Sequence, residues 1–164
     1  MTACEDLLQF VTVQQQDPLA APLLAELAVE YSTRYGGTLD EHHEFLVNYP
    51  AVHFSAPDGG LLIGVQAGVA VTGGAFQRYD ADTAELKRIW TSSAHRRQGL
   101  AVRTLGALEL EIRSRGYRRI YLTTGPRQPE AKALYLAAGY RPLYDQTLSA
   151  DEVGIHPFEK DLEA

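Results

Sequence analysis

The residues best suited to chemistry lie in one short segment, Arg96-Arg97-Gln98-Gly99-Leu100-Ala101, at the start of an amphipathic stretch. That placement suits an anion. The first turn of a helix leaves several backbone N–H groups without partners and carries about half a unit of positive charge. Gly99 has no side chain to hold an anion away from those groups, and Ala101 keeps the next turn narrow. Arg96 and Arg97 add fixed charge and forked donors matched to phosphate oxygens. Two commoner phosphate patterns do not fit. A P-loop ends in Gly-Lys-Ser/Thr, which is missing, and the dinucleotide pattern needs three glycines where one is present. A basic helix cap with no ligand would share the same local sequence.

Other chemistries find less support. No His, Cys, Asp and Glu spacing suggests a metal site, and no Ser/His/Asp constellation is evident. The single cysteine, Cys4, has Glu5 and Asp6 beside it. Their charge disfavours a thiolate, so Cys4 reads as an incidental thiol. One cysteine permits no internal disulfide, which points to a cytoplasmic protein. The 164 residues, 45% apolar and 22% charged, suit one globular domain spanning 1–164. A net charge of −6 gives no general attraction to nucleic acid or anionic lipid. The arginines between Arg113 and Arg119 flank a helix end, where cations are favourable for the dipole. The amino terminus lacks the positive region of a secretory signal. The most apolar stretch, Leu61 to Phe76, is broken by Gln66, Thr72, Gly73 and Gly74, so it reads as strands and a turn, with no membrane span.

The elements that would position the anion segment can be read from periodicity. Residues 10–13 form a β-rich run. Asp17-Pro18 opens a helix with Leu23, Leu27 and Tyr31 on one stripe, ended by Gly36-Gly37. Residues 39–47 suit a short helix. Strands follow at 61–66 and 69–78 around Ala67-Gly68, and another at 85–91. Leu105, Leu108 and Ile112 mark an amphipathic helix over 99–115, stopped by Gly116. A strand at 119–124, a helix at 129–138 and late strands at 140–144 and 155–160 complete the order. Strand–helix–strand after residue 83 implies a parallel pair with a right-handed crossover. The expected fold is therefore mixed α/β, an α+β mixed sheet with antiparallel strands leading, a parallel pair in the middle and about four helices.

With that order in place, the chain resembles the GNAT superfamily of acyl-CoA-dependent N-acetyltransferases. The family signature, Arg/Gln-x-x-Gly-x-Gly/Ala between its fourth strand and third helix, is matched by Arg96, Gly99 and Ala101. Glu85-Leu86-Lys87-Arg88-Ile89-Trp90-Thr91 looks like the fourth strand. Glu130 to Tyr135, followed by Gly139-Tyr140, looks like the fourth helix and the next strand. These motifs cover about residues 83–145. The family often has Asn seven residues before the tyrosine, where this chain has Gln128.

The resemblance implies acyl transfer from acetyl-CoA to a primary amine of a small molecule or peptide. Its implied fold is GNAT-like, with the central parallel pair splayed around the cosubstrate. The diphosphate of coenzyme A would sit on Arg96, Arg97, Gln98, Gly99, Leu100 and Ala101. Ile89, Trp90 and Thr91 would offer backbone groups to the pantetheine amides and to the oxyanion. Gln128 and Ala131 would lie near the cosubstrate. An alkylammonium, with a pKa near ~10, must lose a proton before it attacks. Glu85 is the expected base, directly or through water; a solvated residue paired with Lys87 or Arg88 is the alternative. Tyr135 occupies the position whose hydroxyl reaches the departing sulfur; a core tyrosine is the alternative. Tyr31, Tyr35, His42 and His43 lie in the region that walls the acceptor pocket, or form a surface His pair and a core Tyr pair. Direct attack in a ternary complex is expected, with no cysteine placed to carry the acyl group. Neither a metal nor a nucleic-acid or membrane partner is expected, and an exposed sheet edge would allow a homodimer. An acyl-CoA-binding sensor with the same fold and little turnover is the competing reading.

Overall fold

A computed structural model describes residues 7–162; Cys4 lies outside them. Seven strands form one sheet: β1 (Gln9–Thr12), β2 (Gly60–Gln66), β3 (Val69–Arg78), β4 (Thr83–Thr91), β5 (Arg119–Thr124), β6 (Arg141–Pro142) and β7 (His156–Asp161). Their spatial order is β1-β2-β3-β4-β5-β7-β6. The leading strands are antiparallel, and β4 with β5 is the parallel pair. Ala67 and Gly68 both have positive φ, 51° and 77°, as a tight hairpin between β2 and β3 requires.

Helices cover both faces. On one side lie α1 (Ala21–Tyr35) and α2 (Leu39–Asn48); on the other lie α3 (Leu100–Ser114) and α4 (Pro129–Ala137). The period of two along β2 divides the core. Leu61 and Ile63 pack with Leu23, Leu27 and Trp90, while Leu62 packs with Phe76, Leu108 and Ile120 on the opposite face. The α3 stripe Leu105, Leu108 and Ile112 is buried as its spacing predicts.

Three expectations require correction. The helix opened by Asp17-Pro18 begins as a 3-10 turn over Pro18–Ala20, capped by the Asp17 carboxylate accepting from Leu19 N at 2.9 Å, before α1 starts. The strand expected at 140–144 shrinks to β6: Leu143 N still donates to Pro157 O at 2.9 Å, but Pro157 has no N–H to return the bond. A one-turn helix, α5 (Ala150–Val153), precedes β7 and is held by a Ser149–Glu152 capping box. Among the described residues, no helix is long and apolar enough to cross a membrane, and no group of three or more His, Cys, Asp or Glu is placed to hold a metal ion.

The feature that makes a site is a split. β4 and β5 pair only from Thr83↔Arg119 to Glu85↔Tyr121. Beyond that point β4 continues along β3, and β5 continues along β7. The cleft between them is unfilled by any strand.

Candidate active site

A cavity of about 830 Å³ occupies the cleft. Leu86 to Thr91 of β4 form one wall; Thr123, Thr124, Gln128, Ala131, Leu134 and Tyr135 form the other. Glu26, Glu30, Tyr31 and Arg34 of α1 border it, and so do Arg96, Arg97, Gly99, Leu100, Ala101 and Val102.

The α3 end has the geometry that its sequence predicts. Gly99 is the N-cap in the left-handed region, φ 72°, and no side chain caps the helix. A Cβ at Gly99 would meet nothing within 4 Å, so the cradle is open. Arg97 is also left-handed, φ 64°. Both Arg96 and Arg97 are exposed and make no ion pair among the described residues. Hydroxyls fix this turn against the sheet. Thr104 Oγ1 lies 2.7 Å from Leu100 O and 2.5 Å from Thr72 Oγ1, which lies 2.8 Å from Trp90 O. Two hydroxyl protons can satisfy only two of these three contacts at once, and together they tie the turn to β4 through one buried polar chain.

The β4 wall offers backbone groups selectively. Ser92 N donates to Val71 O at 2.8 Å, so alternation turns the Ile89 and Thr91 amides away from β3, toward the cleft. Trp90 instead has its carbonyl at Thr72 and its indole Nε1 donating to Glu26 Oε1 at 3.1 Å.

Tyr135 is buried, and its hydroxyl makes no hydrogen bond among the described residues. Burial, and secondarily the Tyr31 hydroxyl, pushes its pKa well above the usual tyrosine value. It stays protonated in the working range and can donate. Thr124 Oγ1, on the same wall, is buried with no hydrogen-bond partner among the described residues. An uncapped helix turn, free strand amides and two idle hydroxyls fit a long ligand with a charged head and an amide-bearing arm.

Sequence reasoning also named residues that do not line this cavity. Gln98 is exposed beside it. Glu85 sits where β4 and β5 still pair; its carboxylate accepts from Gln77 Nε2 at 2.9 Å and lies 3.9 Å from Lys87 Nζ. Tyr35 bonds Gln128 Oε1 at 3.3 Å, outside the lining. His42 Nε2 donates to Gly36 O at 2.6 Å, and its ring lies 6.3 Å from that of Tyr31; His43 is exposed.

The residue that sequence reasoning passed over is Arg88. Between Gly73↔Trp90 and Ala75↔Lys87, β3 advances two residues and β4 three, which is a β-bulge. Arg88 occupies it with φ 61°. Opposite lies Gly74, where any Cβ would meet Ile89 and Leu108 at 2.7 Å. The bulge sends Arg88 to the α1–α2 face, over the rings of Tyr49 and Phe54 at 5.2 and 5.0 Å. Its Nη1 donates to Leu46 O at 3.0 Å and Gln15 Oε1 at 3.4 Å. Burial draws its pKa down, and only the Tyr31 and Tyr49 hydroxyls oppose that shift. The one sequence signal of the bulge is that polar–apolar alternation holds over Glu85-Leu86-Lys87 and then breaks, with Lys87-Arg88 both polar and Ile89-Trp90 both apolar. Glu30, which burial shifts upward despite Arg34, is the other lining residue of note. Its only sequence signal is its place next to Tyr31.

Comparisons with known proteins agree with this geometry. Residues 22–140 match the model of the acetyltransferase (GNAT) family. A search of curated proteins finds no match. Among solved structures, an acyl-CoA N-acyltransferase assignment from Klebsiella pneumoniae subsp. pneumoniae MGH 78578 is 24% identical, with a TM-score of 0.71, over 96% of this chain and 99% of that one. A PaiA N-acetyltransferase from Thermoplasma acidophilum, solved with coenzyme A, is 13% identical, with a TM-score of 0.74, over 95% and 99%. A GNAT family acetyltransferase from Elizabethkingia anophelis with acetyl-CoA bound is 16% identical, with a TM-score of 0.64, over 96% and 99%. Likeness at these identities shows a shared fold. The family match covers most of the chain, anion turn and split strands included, and so this chain belongs to the GNAT family of acetyltransferases.

Proposed function

We propose that the protein transfers an acetyl group from acetyl-CoA to a primary amine of a small molecule or peptide, by direct attack in a ternary complex. The observation that carries this reading is the opening of the uncapped α3 turn and the unpartnered Tyr135 hydroxyl onto one cavity. Acetyl-CoA supplies an activated thioester. The α3 amides, Arg96 and Arg97 hold its diphosphate, and the Ile89 and Thr91 amides pair with its arm along the open edge of β4.

The amine lone pair first forms the C–N bond, moving the carbonyl pair onto oxygen, and the C–S bond then breaks as that pair returns. Strand amides of β4 stabilise the oxygen charge that develops between those events. Tyr135 donates its proton to the departing sulfur. Glu85 receives the proton lost by the amine, relayed by water because its carboxylate lies behind the cavity wall. Glu30 is a second choice for base, favoured by its place on the lining and its raised pKa. Glu85→Gln and Glu30→Gln separate the two. The variant that removes the true base should lose the rise in rate on the acid side of the pH–rate profile, where the carboxylate gives up its proton, and the other should keep it.

The direct test is coenzyme A thiol release with a panel of primary amines. Release that depends on the amine, with intersecting initial-velocity lines, is expected. Tight acetyl-CoA binding with no release on any amine would instead support the sensor reading.

A further inference from the structure

We propose that the amine acceptor also carries a carboxylate, received by Arg88 and the hydroxyl of Tyr31 at the end of the cavity away from α3. The inference rests on the transferase reading above and names its substrate class.

Arg88 is only 9% exposed yet lines the cavity. It has no carboxylate partner among the described residues. Its Nη1 is occupied by Leu46 O and Gln15 Oε1, while Nε and Nη2 make no hydrogen bond to any described residue. A buried cation is ordinarily paired. The free edge of a guanidinium is a planar fork matched to a carboxylate. The Tyr31 hydroxyl likewise makes no hydrogen bond among the described residues, and Tyr31 also lines the cavity.

The surrounding charges leave this vacancy in place. Lys87 is drawn toward Glu85 at 3.9 Å. Glu30 lies 3.3 Å from Arg34. Glu26 accepts from Trp90 Nε1 and Ser93 N. Each lining acid therefore has its own donors, and none reaches Arg88. Along β4, Arg88 is three residues from Thr91, about 10 Å at the usual rise of a strand. That separation keeps it distinct from the diphosphate turn beyond Thr91. A polyamine, with a cation at each end, would bring like charge against Arg88. An amino acid would not.

The test is coenzyme A release with matched acceptors: α- and ω-amino carboxylic acids, their carboxamides, and the same amines with hydrogen in place of the carboxyl. The wild-type protein should prefer the carboxylate in kcat/KM by about 10- to 100-fold. Arg88→Gln should erase that preference while leaving the KM for acetyl-CoA unchanged. Should that variant fail to fold without its ring and carbonyl contacts, Tyr31→Phe removes a hydroxyl that makes no hydrogen bond among the described residues. It should lower the preference about 3- to 10-fold. Equal wild-type use of carboxylate and carboxamide would overturn the proposal, as would a preference that survives Tyr31→Phe and Arg88→Gln. Release with no acceptor of either kind would overturn the transferase reading, and this proposal with it.

Discussion

The two ends of the cavity both present positive charge, but they are built in opposite ways. At the α3 end the charge is shared among backbone amides, a helix dipole and two exposed arginines, all within residues 96–101. At the other end it is concentrated in one buried guanidinium, which is held by Gln15, Leu46, Tyr49 and Phe54 and re-aimed by a bulge. A shared, solvated charge suits a large mobile anion and tolerates the loss of one donor. A single desolvated charge discriminates sharply, because a ligand that leaves it unpaired forfeits the whole interaction. One end is suited to holding, the other to selecting.

Tyr135 lies between them, and its loss should have the largest effect. Tyr135→Phe should lower kcat about 100-fold, as removal of a general acid does, with acetyl-CoA affinity unchanged. Single-turnover release beside a binding titration reads both, and wild-type turnover would return Tyr135 to the core. Next comes the α3 turn. Gly99→Val should weaken coenzyme A binding about 10-fold, from the cost of a β-branched residue in the left-handed region. Crowding within the protein is not the cause, since no protein atom lies within 4 Å of the Gly99 Cβ position. Gly99→Asn, which tolerates that region, should therefore bind within about 3-fold of wild type. Equal losses in both would show that bulk matters after all. Salt gives a milder discrimination. Raising ionic strength from 0.1 to 1 M shortens the screening length from ~10 to ~3 Å. The KM for acetyl-CoA, set by the exposed end, should rise about 3-fold, and the KM for the acceptor should change less.

The contrast between the two ends also explains what could be read from sequence. The α3 turn is local: its glycine, arginines and helix are contiguous, so residue types alone disclosed it. The same holds for the strands and long helices, whose periods are written along single segments. The order β5-β7-β6 was not legible, since insertion of β7 beside β5 depends on partners distant in the chain. The α5 turn is too short to leave a period. Arg88 was the most hidden feature. Polar and apolar residues alternate only at the start of 85–91, and the break at Arg88 does not say where its side chain goes, because the groups that hold it come from positions 15, 46, 49 and 54. Glu85 shows the converse. Its place at the start of β4 suggests the cavity, while the register Glu85↔Tyr121 keeps it where the strands have not yet parted.

The smallest expected effect concerns the strap that links the two walls. Arg34 of α1 donates to both Glu130 carboxylate oxygens of α4, at 2.9 and 2.6 Å, and to Arg127 O at 2.7 Å. The Arg34 hydrogen bond holds the Glu130 carboxyl down at about 2, below its usual 4.5. A carboxyl lowered on folding contributes stability that is complete above about pH 4.5 and is lost as pH falls toward about 2. The Glu130 side chain is 64% exposed, so solvent screening leaves a net contribution of about 0.5 kcal/mol. Glu130→Gln should therefore lower Tm by about 1–2 °C at neutral pH. The gap between variant and wild type should close on acidification from pH 4.5 to 2, and it should narrow in high salt. A gap that held constant across that acid range would mean that Glu130 acts by packing. The strap would then owe its hold to the Arg34–Arg127 backbone contacts, and the two walls of the cavity would be joined independently of pH.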